Sequence, residues 1–94
     1  MFSEERKTIN EIDAELKRLF LLRQATVLKI AEKKFNANLP IFDGQREMEM
    51  KDRLTADLSG EDKAYYLSFL EHIINLSKLK QAQFIEELEK NTKL

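Results

Sequence analysis

Between Ser3 and about Asn36, the apolar residues Ile9, Ile12, Leu16, Leu19, Val27 and Ile30 recur at steps of three and four or their multiples. That spacing stacks side chains on one face of a helix. Cations interrupt the face: Arg23 stands four residues after Leu19 and four before Val27, Lys34 four beyond Ile30, and Arg6 three before Ile9. An unpaired charge on a core-facing stripe costs several kcal/mol. An anionic ligand held between helices would supply the counter-charge.

The rest of the pattern predicts two further helices. Ser3 is the expected N-cap of the first, with Glu4 and Glu5 in its first turn, where acidic side chains suit the helix dipole. That helix is expected to fray over Asn36 to Asn38 and to stop at Leu39 and Pro40, because proline disfavours helical geometry in the residue before it. Asp43 then caps a short helix from Gly44 to about Asp57, with Arg46, Met50 and Leu54 on one face and Glu47 beside them. A third runs from about Gly60 to Lys90, with Tyr66, Phe69, Ile73, Phe84 and Leu88 as its seam. Ser77 and Gln81 fall on that seam, and buried polar groups of this kind need partners.

These elements define an all-α fold of three helices, long, short and long, read as one domain over residues 1–94. A helix of about 34 residues is roughly 50 Å long, whereas a compact chain of this size has a radius of gyration of about 12 Å. The long helix must overhang its own domain. Leu19, Phe20, Leu21 and Leu22 are consecutive, so its middle is apolar all round and calls for burial on more than one side. The expected assembly is an intertwined homodimer.

Composition narrows the chemistry. A formal charge of −1 argues against a nucleic-acid partner, whose phosphates select basic surfaces. With no Cys and a single His, at position 72, thiol redox chemistry and ordinary zinc sites are excluded. No stretch approaches a membrane span, and Met1 to Lys7 has no apolar run of the secretory kind. A cytoplasmic protein is expected, without metal or cofactor.

Each intruding polar residue has an ordinary explanation when taken singly. Arg6 could be solvated, Lys34 could complement a helix C-terminus, Asp43 is accounted for as a cap, and Arg46 and Glu47 could pair at the surface. Arg23, in the centre of an apolar run, is harder to dismiss. Jointly the intruders occupy seam positions on all three helices. Arg23 and Lys34 are three turns apart, with about 16 Å of helix axis between them, so two long side chains could close on one small ligand. Arg6 lies about 25 Å before Arg23 and would have to serve the site of a second copy.

The ordered set Arg6, Ile9, Asp13, Glu15-Leu16, Arg23, Lys34, Pro40, Asp43, Arg46-Glu47, Ile73-Ile74, Ser77 and Gln81 resembles the all-helical chorismate mutases. The resemblance covers about residues 3 to 90, and its one departure is a short connection around Asp57 to Glu61. It implies rearrangement of chorismate to prephenate in phenylalanine and tyrosine biosynthesis. In that concerted reaction an ether C–O bond breaks as a C–C bond forms, without nucleophile, acid, base, metal or cofactor. The protein's share is to confine a reactive conformer and to stabilise negative charge on the ether oxygen. By the family's pattern Arg23, and Arg6 lent by the other subunit, hold the substrate carboxylates. Lys34 and Gln81 donate to the ether oxygen, Glu47 binds the ring hydroxyl with the backbone near Asp43, and Arg46 and Ser77 complete the wall. Arg6, Arg23, Lys34 and Arg46 against Asp43 and Glu47 leave two positive charges for a dianion.

Two other readings fit parts of the pattern. An isochorismate-pyruvate lyase shares the fold and a basic pocket, but Glu47 suits the hydroxyl position of chorismate. A non-catalytic helical dimerisation module would hold the seam charges in interchain salt bridges and would have no affinity for a dicarboxylate. The chain length leaves no room for a fused dehydratase or dehydrogenase, so a monofunctional enzyme is expected.

Overall fold

The computed structural model describes residues 1–92 and contains three helices, α1 (Ser3–Asn36), α2 (Gly44–Thr55) and α3 (Gly60–Thr92). The long-short-long order is the one the apolar periodicity predicts. No helix among the described residues is long and apolar enough to cross a membrane.

The helix ends show which local signals acted. Ser3 is not the N-cap: it is the first helical residue, and Phe2 takes the cap position without a side-chain cap bond. The Phe2 carbonyl accepts from the Arg6 N–H at 2.9 Å, which starts the hydrogen-bond ladder one residue early. The Arg6 guanidinium lies over the Phe2 ring, 5.6 Å from its centroid, and holds the chain start against the first turn. At the other end α1 closes rather than frays. Asn38 is left-handed, with φ 56°. The Leu39 N–H bonds back to the Lys34 carbonyl at 2.8 Å and the Asn38 N–H to Phe35 at 3.2 Å. This is a Schellman closure with asparagine, which tolerates that conformation, in the place glycine usually holds.

Asp43 caps α2 as expected, its Oδ1 accepting from the Arg46 N–H at 3.1 Å. The α2 helix ends at Thr55, two residues short of the Asp57 expected. Gly60 opens α3 with φ 58°, a conformation that would cost a side-chain-bearing residue about 1 kcal/mol.

Helix α3 packs against both α1 and α2, which do not pack on one another among the described residues. The core is small: Val27 and Ala31 of α1 meet Leu70 and Ile74 of α3. On α3 the buried line is Leu70, Ile74, Ser77 and Gln81: Ser77 and Gln81 lie on the predicted seam, whereas Leu70 and Ile74 replace Phe69 and Ile73, one residue along, and Phe69 is left 43% exposed. The α3 helix is apolar on more than one side, so periodicity alone does not identify which stripe faces α1.

The chain measures 60 × 28 × 14 Å with a radius of gyration of 17.1 Å, and its short dimension is little more than one helix diameter. One layer of helices cannot enclose a core on both sides. The accessible surface is 7829 Å², against about 5,700 Å² for a compact chain of this mass. Much of the excess is apolar, since Ile9, Ile12, Leu16 and Leu19 all remain about half exposed.

Candidate active site

The second half of α1 presents Arg23, Val27, Ile30 and Lys34 in turn at steps of four, three and four, which is one helical face. Opposite them α3 sets Ile74, Ser77 and Gln81, and the 37–43 connection and α2 close the third side with Ile41, Asp43, Arg46, Glu47 and Met50. Together they enclose a cleft of about 250 Å³, small for a ligand pocket and suited to a metabolite. Ala31, fully buried, has no side chain beyond Cβ, which lets α1 and α3 come close beneath the cleft floor.

The polar groups are held from below. Arg23 Nη1 donates to Ser77 Oγ, and Ser77 Oγ in turn donates to the Ile73 carbonyl at 3.1 Å. Ser77 is thereby satisfied although buried. Lys34 Nζ donates to the Ile41 carbonyl at 2.8 Å and approaches Gln81 Oε1 at 3.4 Å. Lys34 thus fastens the 37–43 connection to α1. It also engages the oxygen of the buried Gln81 amide, so Nε2 is the group Gln81 has left to offer a ligand. Lys34 and Gln81 are close enough for one ligand atom to lie within reach of both.

Burial holds the Arg23 guanidinium below its ordinary pKa, and the like charge of Arg46 acts in the same direction. The cleft therefore disfavours its own charge when empty, and an anion bound in it would supply a counter-charge that favours the protonated guanidinium.

Seven of the eight residues singled out from the sequence line this one cleft: Arg23, Lys34, Asp43, Arg46, Glu47, Ser77 and Gln81. Arg6 does not. It is exposed near the free end of α1, 17 positions and about 25 Å of axis from Arg23. His72 is exposed and does not line the cleft.

Sequence reasoning missed the Ile41 carbonyl and Lys78. The first is a backbone atom, which side-chain patterns do not report. Lys78 follows Ser77 one step off the seam and reads as a solvated charge, yet it lines the cleft with Nζ 2.8 Å from Glu47 Oε1. A second, broader cleft of about 410 Å³ is lined by Leu58, Asp62, Tyr65, Tyr66 and Phe69. It contains no cation and none of the candidate residues.

Fold and site together define an all-helical protein with a cation-lined cleft between its helices. Residues 5–82 match the family described as chorismate mutase type II, and the chain belongs to that family. A chorismate mutase of Methanocaldococcus jannaschii is 29% identical over 93 residues, covering 97% of this chain and 94% of that protein. No solved structure matches the chain significantly.

Proposed function

We infer that this protein is a chorismate mutase, an isomerase that rearranges chorismate to prephenate in phenylalanine and tyrosine biosynthesis. Beyond family membership, the observation that carries the reading is that two guanidiniums, Arg23 and Arg46, line the same cleft, one too small for a macromolecule. Within one chain the cleft sets Arg23, Lys34, Arg46 and Lys78 against Asp43 and Glu47, a net of two positive charges for a substrate with two carboxylates.

The positions of the groups support a role for each residue. Arg23, fixed by Ser77, offers a planar fork to one carboxylate, and Arg46 adds positive charge to the same cleft. Lys34 and the Gln81 amide converge where one oxygen can take both hydrogen bonds. Such donors, already in place before charge develops, stabilise a breaking C–O bond more than the intact ether. The apolar walls, Val27, Ile30, Ile41, Met50 and Ile74, restrict the ring and side chain of the substrate to a folded conformer. No step requires a proton to move.

The proposal includes an intertwined homodimer in which each copy covers the exposed α1 face of the other, and in which Arg6 enters the cleft of the second copy. The surface excess of about 2,200 Å² over a compact chain is of the size an obligate interface covers on each partner. A single domain spanning the chain and a cytoplasmic location belong to the same reading.

Following the loss of chorismate absorbance with purified protein tests the assignment, and prephenate is the expected product. Release of pyruvate from isochorismate, without turnover of chorismate, would reassign the cleft to lyase chemistry. Absence of both activities, with no thermal shift on adding a dicarboxylate, would leave a helical dimerisation module.

A further inference from the structure

The cleft contains two carboxylates, Asp43 and Glu47, and only one of them is spared from capping a helix. Asp43 is committed through Oδ1 to the start of α2. Glu47 stands one turn further along, four-fifths buried, with no backbone to cap. A carboxylate beside a dianion repels it except where it accepts a hydroxyl hydrogen, and chorismate has one hydroxyl. Glu47 can help binding only if its charge is offset and its orientation fixed.

Lys78 is placed to do both. Its Nζ lies 2.8 Å from Glu47 Oε1 and 4.9 Å from the centroid of the Phe42 ring, so a cation–π contact steadies the ammonium in addition to the ion pair. The Phe42 ring is seated over Gly44, where an added Cβ would come within 3.0 Å of Phe42 Cζ. A glycine there leaves the ring room to sit. The Lys78 side chain is about one-third exposed. Without Lys78 the net charge of the cleft within one chain falls from two positive charges to one.

We propose that Lys78 is a positioning and specificity residue for the ring hydroxyl of the substrate. It holds Glu47 by Oε1, leaves Oε2 to accept the hydroxyl hydrogen, and cancels the field that Glu47 would otherwise exert on the substrate carboxylates. The inference rests on the chorismate reading and extends it to a residue off the seam.

The test measures kcat and KM on chorismate, together with affinity for an analogue lacking the ring hydroxyl. The variants are Lys78→Met, Lys78→Gln and Lys78→Arg, each alone and combined with Glu47→Gln in the intact protein. Removing a charged partner of this kind lowers kcat/KM by about tenfold or more, and the loss is expected mainly in KM. Lys78→Arg should restore most of it. Lys78→Met should cost little further once Glu47→Gln is present, and should weaken binding of the hydroxyl-free analogue, which keeps both carboxylates, less than that of chorismate. Lys78→Gln, which keeps a polar side chain, serves if Lys78→Met fails to fold. Losses that multiply independently of Glu47→Gln, or that fall equally on the analogue, would mark a structural role and overturn the proposal. An active wild-type protein with indifferent Lys78 variants overturns this inference alone, whereas a wild-type protein inert toward chorismate overturns the functional reading with it.

Discussion

Replacing Leu16 by Asp on the exposed face of α1 tests the assembly and the site together. Leu16 is 48% exposed in the single chain, and full burial of a leucine is worth about 1.5–3 kcal/mol. Covering the remaining half is therefore worth about 1 kcal/mol per copy and about 2 kcal/mol per dimer. An aspartate forfeits that and brings an unpaired carboxylate into an apolar contact, which costs several kcal/mol more. A combined loss of at least about 4 kcal/mol raises the dimer dissociation constant roughly a thousandfold. Sedimentation velocity at micromolar protein, run beside the chorismate depletion assay, reads both consequences. The expected result is a shift from dimer to monomer, or to unfolded chain where the monomer cannot stand alone, with activity falling in step. A Leu16→Asp protein that stays dimeric at low micromolar concentration would refute the packing argument, and a fully active monomer would refute the shared site.

Further outcomes follow from the same geometry. Gln81→Glu replaces a neutral donor with a group that donates only when protonated, so activity should fall with rising pH, by up to tenfold per unit above the carboxyl pKa. Equal rates at pH 5 and pH 8 would contradict the role given to Gln81. Arg6→Ala and Arg23→Ala proteins, each nearly inactive, should regain activity on mixing, because a heterodimer retains one intact cleft. No recovery after verified subunit exchange would count against it. For Arg23 the pKa is depressed in the folded state, so the cost of its charge is fully present at every pH below the folded value and lifts only as pH rises through that value, far above neutrality. Arg23→Met should accordingly raise the melting temperature of the ligand-free protein equally at pH 6 and pH 9, and should abolish stabilisation by a dicarboxylate. A gain that changes between those two pH values would refute the assignment.

The cleft was legible in the chain to the extent that its residues break a helical period. Arg23 and Lys34 stood out because leucine was expected at their positions, and Ser77 and Gln81 because they fell near an apolar seam. Lys78 breaks nothing. It becomes part of the site only because α2 brings Glu47 to within 2.8 Å of it, a contact between positions 31 residues apart that no local pattern encodes. The same limit displaced the N-terminal half of the α3 seam by one residue. Leu70 and Ile74 are buried where Phe69 and Ile73 were expected, because the neighbouring helices pack on that side, and Phe69 would have suited the core equally well had they packed on the other.

Helix number, order and approximate ends came from the chain alone, since a three-to-four residue period, the Asp43 cap and the Leu39-Pro40 stop act over a few residues at most. So did the expectation of an anionic ligand, because cations on an apolar stripe call for an anion wherever the helices go. Tertiary structure decided which side of each helix is inside and which oxygen or amide group each cleft residue has left to offer. It also decided that one layer of helices, 14 Å thick, leaves the α1 stripe uncovered. Those outcomes depend on how rigid rods cross, and crossing is set by contacts between residues distant in the chain, which apolar spacing does not specify.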